Sequence, residues 1–143
     1  MNIREVKRFS YRIFESVLHL LPQLDSSIEA PTEEYFRGIL RSCNSHFLVA
    51  ELDNKQIAGI LTLGTYDIPT GKKFWIEDVV VDKSLRGKGV GRDLVLYAIE
   101  YSRSMGAKSV ELTSRPSRVE ANNLYKKLGF VIRQTNMYRF KIV

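Results

Sequence analysis

The residues whose types and spacing could do chemistry lie between Phe74 and Arg92, in the run FWIEDVVVDKSLRGKGVGR. Two adjacent acids, Glu77 and Asp78, sit inside a β-branched segment. A basic, glycine-rich turn follows, Arg86-Gly87-Lys88-Gly89-Val90-Gly91-Arg92, and a long amphipathic pattern begins at once. That order is a strand, an anion-binding loop and a helix. Glycines let the backbone approach a ligand closely, and the first amides of a helix point free N–H groups at an anion. Lys88 and Arg92 add positive charge at the same place, so a phosphate is expected on residues 86–92. A Walker-type loop would need a Gly-Lys-Ser/Thr ending, which is absent. A dinucleotide fingerprint would need G-x-G-x-x-G, whereas the spacing here is R-x-x-G-x-G.

This loop after a strand resembles the pyrophosphate loop of the GNAT superfamily of acyl-CoA-dependent N-acyltransferases. Ile76-Glu77-Asp78 is similar to the "LED" strand of its polyamine-type members. Downstream, Ala121-Asn122-Asn123-Leu124-Tyr125-Lys126-Lys127-Leu128-Gly129-Phe130 is similar to the family's A-x-x-L-Y-x-x-L-G-F segment. The resemblance is specific from about residue 46 onward and general before it. It implies one N-acetyltransferase domain over residues 1–143, with acceptor-side helices in 1–45 and an acetyl-CoA-binding core in 46–143. One departure stands out: where many members carry a cofactor-contacting asparagine, this chain has Arg118.

Composition agrees. A chain of 143 residues, 44% hydrophobic, is the size of one domain with a real core. The formal net charge of +6 suits a polyphosphate ligand, and no recognition-helix motif or aromatic platform points to nucleic acid. No apolar run approaches the roughly 18 residues of a membrane span. Met1-Asn2-Ile3-Arg4-Glu5 lacks the apolar block of a signal peptide, which points to the cytoplasm. The single cysteine, Cys43, excludes an internal disulfide and a cysteine metal cluster, and no metal site is expected.

The elements that must position the site read as follows. Ile3–Val6 is a short strand. Ser10–Leu21 has helical spacing, with Ile13, Val17, Leu20 and Leu21 inward, Phe14 and Leu18 flanking, and Pro22 as its stop. His19, inside it, has no partner acid at triad or ligand spacing. Thr32 to about Ser42 is a second helix with Tyr35, Phe36, Ile39 and Leu40 inward. Phe47–Leu52 and Ile57–Leu63 are strands around the turn Asp53-Asn54-Lys55, and a longer loop with Pro69 and Gly71 leads to the acidic strand. After the glycine loop, Val90, Leu94, Tyr97, Ala98, Tyr101 and Met105 stripe a helix that Gly106 stops. Lys108–Thr113 reads as a strand, Ser117–Glu120 as a capping box starting a helix at Arg118, and 131–142 as closing strands whose exposed edge would permit a homodimer. The fold class is α/β (α+β): a mixed, mostly antiparallel sheet of six or seven strands, splayed at a central strand, with helices on both faces.

Alternation along the acidic strand puts Trp75, Glu77, Val79 and Val81 on one face and Asp78 and Val80 on the other, unless a bulge intervenes. The resemblance implies such a bulge, with amides near Val79 and Val81 serving the pantetheine arm and the thioester carbonyl. It also implies that an acid of this strand is the base and that Tyr125 is the general acid. Glu77 is the expected base, partly desolvated and with a raised pKa, and Asp78 is the alternative. The cofactor-binding set is then Val79, Val80 and Val81 with Arg86, Gly87, Lys88, Gly89, Val90, Gly91 and Arg92. Acetyl-CoA is the expected co-substrate and a small-molecule amine the expected acceptor. A protein lysine or N-terminal amine, or a non-catalytic CoA-binding sensor, are the alternatives.

Overall fold

The computed structural model describes Met1–Val143. The chain divides into two compact units, Met1–Thr113 and Ser114–Val143. In the first, strands β1 (Asn2–Glu5), β2 (Ser45–Glu51), β3 (Ile57–Ile68) and β4 (Gly71–Val81) form one antiparallel sheet in the order β1-β2-β3-β4. Helices α1 (Tyr11–Leu24) and α2 (Glu33–Arg41) precede β2, and α3 (Val90–Ser104) follows β4.

The apolar periodicity sorts onto two faces. Phe47 and Val49 of β2, Ile60 of β3 and Val80 of β4 pack with Ile13, Val17 and Leu20 of α1 and with Phe36 and Leu40 of α2. On the opposite face, Val90, Leu94, Val95 and Ala98 of α3 are buried, and α3 contacts every strand of the sheet. Its far end is tied by polar groups. The Tyr101 hydroxyl donates to Glu5 Oε1 at 3.1 Å, and His46 Nδ1 lies 2.8 Å from Glu5 Oε2. Ser10 and Thr32 cap α1 and α2 by accepting from the amides of Ile13 and Tyr35.

Several elements differ from expectation. Pro22 lies inside α1, which runs to Leu24: a proline in the last turn forfeits one backbone hydrogen bond, and the chain still closes through the Asp25 amide to Leu21 O. Tyr35 is exposed. Pro69 and Gly71 mark no long loop but a tight hairpin, since Ile68 pairs with Gly71 and both strands run to the turn. The sheet has four strands, not six or seven. The expected strand 108–113 makes only one parallel bridge, Trp75 with Glu111. The acidic strand is therefore the last full strand of the sheet and not a central one.

In the second unit, α4 (Val119–Lys127) starts after Arg118 without a side-chain cap. The expected Ser117 box does not form; Asn122 Nδ2 instead donates to the carbonyls of Arg115 and Arg118. Residues 131–143 carry neither helix nor strand, contrary to the closing strands expected there.

The approach of α3 to the sheet rests on Gly59. A Cβ there would meet Val80 O at 2.9 Å, Leu94 Cδ1 at 3.0 Å and Val90 Cγ1 at 3.1 Å. Two of these are core side chains and one is backbone, so Gly59→Ala is expected to destabilise the fold by about 1–3 kcal/mol, read as a lower midpoint in urea unfolding. An unchanged midpoint would mean that α3 has room to move away.

Candidate active site

The acidic strand is bulged where its chemistry sits. Thr62 pairs with Glu77 and Ile60 with Val80, so β3 advances two residues while β4 advances three. The extra residue is absorbed at Asp78, whose φ of +49° is left-handed; aspartate is among the few side chains that tolerate that region. Neither Asp78 nor Val79 has a ladder partner on β3. A bulge is thus present at the expected place, but it overturns the expected facing. Glu77 shares its face with Thr62, Ile60 and the core residue Val80, while Val81 pairs with Gly59 and turns toward α3. Strict alternation would have grouped Glu77 with Val79 and Val81.

Glu77 and Asp78 are both exposed. Partial desolvation, with the charge of neighbouring Asp78 added, nevertheless pushes the Glu77 carboxyl above its ordinary value of 4.5. A carboxylate raised in this way is a better proton acceptor at neutral pH.

The strand leads into a fixed turn. Asp82 is buried and caps the 3-10 turn Lys83–Leu85, accepting from the Ser84 amide at 3.0 Å and the Ser84 hydroxyl at 2.8 Å. His19 Nε2 of α1 lies 3.1 Å from its other oxygen, and Gln23 Oε1 accepts from the Lys83 amide at 2.8 Å. The bond from the Ser84 amide comes first among the causes that hold Asp82 below the usual carboxylate range, outweighing its burial; the Ser84 hydroxyl and His19 add to it. His19 therefore does have a partner acid, which sequence reading missed because the two are 63 residues apart. Only the Asp-x-Ser turn itself is a readable signal.

The glycine loop opens next. Gly87 and Gly89 have φ of +78° and +83°, and a Cβ at either would meet nothing within 4 Å. Gly89 heads α3 with no side-chain cap, so the first amides of that helix face open space. Arg86 Nε donates to Val81 O at 3.2 Å, which holds the loop to the end of β4. Arg92 pairs with Asp93 at 3.5 Å, Lys88 is exposed, and the Val90 side chain is buried and anchors the helix. This cradle fits an anionic phosphate group. An open cleft of about 290 Å³ between α1 and the β2–β3 turn is lined by Arg12, His19, Lys55 and Asp82 among others, and by neither strand acid.

In the second unit, Tyr125 is buried, its ring edge-on to Phe130 at 5.8 Å, and Phe130 N donates to Tyr125 O. Burial pushes the phenol above its ordinary value, offset in part by Arg118, so the hydroxyl keeps its proton. Cys43 is exposed. No cluster of three or more His, Cys, Asp or Glu side chains suited to a metal is present, and no helix is long and apolar enough to cross a membrane.

The family model described as the acetyltransferase (GNAT) family matches residues 12–130. An uncharacterised N-acetyltransferase of Methanocaldococcus jannaschii is 30% identical over 98 residues, covering 67% of this chain and 43% of that protein. The glucosamine 6-phosphate N-acetyltransferase 1 of Oryza sativa subsp. japonica is 36% identical over 134 residues, covering 87% of this chain and 79% of the rice protein. Among solved structures, an acetyltransferase of Trypanosoma brucei superposes with a TM-score of 0.78 at 29% identity, over 99% of both chains. The chain spans less than half the length of some of its curated relatives.

The raised Glu77 pKa has a definite consequence for stability. The folded state holds the Glu77 proton to higher pH than the unfolded state, so its contribution is complete below about 4.5 and is lost as pH rises through the folded value. Glu77→Gln is expected to gain thermal stability relative to the parent on going from acid to neutral pH. A melting-temperature difference that stays constant across that range would show that Glu77 is not desolvated.

Proposed function

The chain belongs to the GNAT acetyltransferase family, and on that premise we propose that it transfers an acetyl group from acetyl-CoA to the primary amine of a small molecule by direct attack. The observation that carries this reading is the bulge in β4 beside Glu77, a partly desolvated acid near the end of a strand that runs into an open, uncapped phosphate cradle. We assign residues 1–143 to one N-acetyltransferase domain, with 1–45 on the acceptor side and 46–143 holding the co-substrate. The rice relative is named for an amino-sugar phosphate, which supports a small amine over a protein lysine.

Residues 86–92 would hold the pyrophosphate of acetyl-CoA through the amides of Gly87, Gly89 and Gly91 and the charges of Arg86, Lys88 and Arg92. The thioester supplies the activated acetyl group. An alkylammonium of pKa about 10.4 must lose a proton before it can attack, at a cost of roughly 4.6 kcal/mol at pH 7. Glu77 is assigned the acceptance of that proton, directly or through a water, with Asp78 as the neighbour that keeps its affinity for protons high. The unladdered backbone at Val79, between Asp78 and Val80, is assigned the carbonyl oxygen as negative charge develops there. Tyr125, held protonated by burial, is assigned the donation of a proton to the departing thiolate.

The test is free-thiol release from acetyl-CoA against amino sugars, their phosphates, other small amines and basic peptides. Glu77→Gln is expected to lower kcat by about 10²–10⁴-fold while leaving acetyl-CoA binding intact, and to remove the acid limb of the pH profile. Tyr125→Phe is expected to lower kcat without that pH change. Turnover at the parent's rate in Glu77→Gln would remove Glu77 as the base. In calorimetry, Gly89→Glu is expected to abolish acetyl-CoA binding, since a side chain at φ +83° and a negative charge would enter the cradle. Parent-like binding by that variant, if folded, would move the phosphate site elsewhere.

A further inference from the structure

The glycine loop is held at both ends, by different means. At its far end Val90 is buried beside Gly59, so core packing fixes the start of α3. At its near end stands the turn Asp82–Arg86. There Asp82 N donates to Ala58 O at 2.8 Å, Leu85 N to Asp82 O at 2.8 Å, and Arg86 Nε to Val81 O at 3.2 Å. These bonds involve β3, β4 and the turn itself. Two groups of the turn are satisfied from α1 instead: the Lys83 amide by Gln23 Oε1 at 2.8 Å, and Asp82 Oδ2 by His19 Nε2 at 3.1 Å.

The proton positions in this clamp follow from its chemistry. Asp82 is held ionised, so Oδ2 only accepts and His19 Nε2 carries the hydrogen. That nitrogen then has no lone pair for the Gln23 amide, which lies 3.3 Å away. The Gln23 nitrogen is left to donate to the His19 carbonyl at 3.4 Å, and its oxygen turns to the Lys83 amide. His19 and Gln23 are one helical turn apart on α1, so the two contacts act as a unit. Neither is needed to seat the helix. Ile13, Val17 and Leu20 dock α1, whereas His19 is exposed beside the open cleft and Gln23 is only half-buried.

What the clamp does hold is the entry to a run with glycine at 87, 89 and 91. Glycine has more backbone freedom to lose than any other residue when a ligand orders it, and that loss weakens binding. We propose that His19 and Gln23 are positioning residues for the phosphate cradle: they fix Asp82 and the Lys83 amide from α1, and so set the start of the glycine loop in the shape that receives an anion. The inference rests on the reading of residues 86–92 as the pyrophosphate site.

Calorimetry with acetyl-CoA and hydrogen exchange on the free protein test it together. Gln23→Met keeps the shape of the side chain and removes its oxygen; His19→Leu removes the donor to Asp82. Each is expected to weaken acetyl-CoA binding by about three- to tenfold, the worth of one hydrogen bond. The Michaelis constant for acetyl-CoA should rise by the same factor, with kcat at saturation within about twofold of the parent. His19→Gln, which offers an N–H in place of Nε2, is expected to restore most of the affinity, a rescue that a role in stability alone would not require. Without any ligand, the amides of residues 83–91 should exchange faster in Gln23→Met than in the parent. Parent-like acetyl-CoA binding by both Gln23→Met and His19→Leu, no rescue by His19→Gln, or faster exchange confined to Lys83 and Ser84 would overturn the proposal. A parent that binds no acetyl-CoA would overturn the reading of the site instead, and exchange at 83–91 would still decide whether α1 holds the loop.

Discussion

One extra residue in β4 is the constraint on which the site depends. Had β4 continued its pairing with β3 in register, Asp78 and Val79 would be ordinary members of a ladder, with their neighbours alternating as Trp75 and Ile76 do. The bulge at Asp78 bends the strand, removes two residues from the β3 ladder and brings two carboxylates next to each other on accessible ground. The left-handed backbone this requires falls on an aspartate, which bears it at modest cost.

The remainder of the first unit holds that distortion in place from both faces. On one face, α1 and α2 press an aromatic and aliphatic cluster onto Ile60 and Val80, the pair that resumes the ladder after the bulge. On the other, Gly59 lets α3 come close enough for Val90 and Leu94 to pack against the same pair of strands. Because Val90 is the first residue of α3, the position of the helix N-terminus, and therefore of the glycine loop, is set by core packing and not by the loop itself. The His19–Asp82 pair and the Gln23 contact with the Lys83 amide add a second fixing point from α1. Cradle and bulge are thus two ends of one strand and turn held by the same contacts.

This arrangement separates two electrostatic tasks. Asp82, paired and capped, stays ionised to low pH and serves the structure. Glu77, partly removed from water and close to a like charge, has its pKa moved in the opposite direction, which is why it is the acid we propose as the base. Two acids five residues apart on the same stretch of chain are shifted in opposite directions by their surroundings alone.

Much of this was legible in the residues. The glycine spacing, the apolar stripes of α1, α2 and α3, the β2–β3 turn and the family segment ending in Gly129-Phe130 are local patterns, written within a few residues of one another, and each encodes its element through φ preferences or a hydrophobic period. The direction of the Glu77 shift was readable too, because an acid inside a β-branched run is poorly hydrated. Only the tertiary structure decided which face Glu77 shares, since one residue of register shift inverts a strand and depends on the strand opposite. It alone joined His19 to Asp82 and reduced the expected sheet to four strands. Those outcomes turn on which distant backbone meets which, and no local period records that.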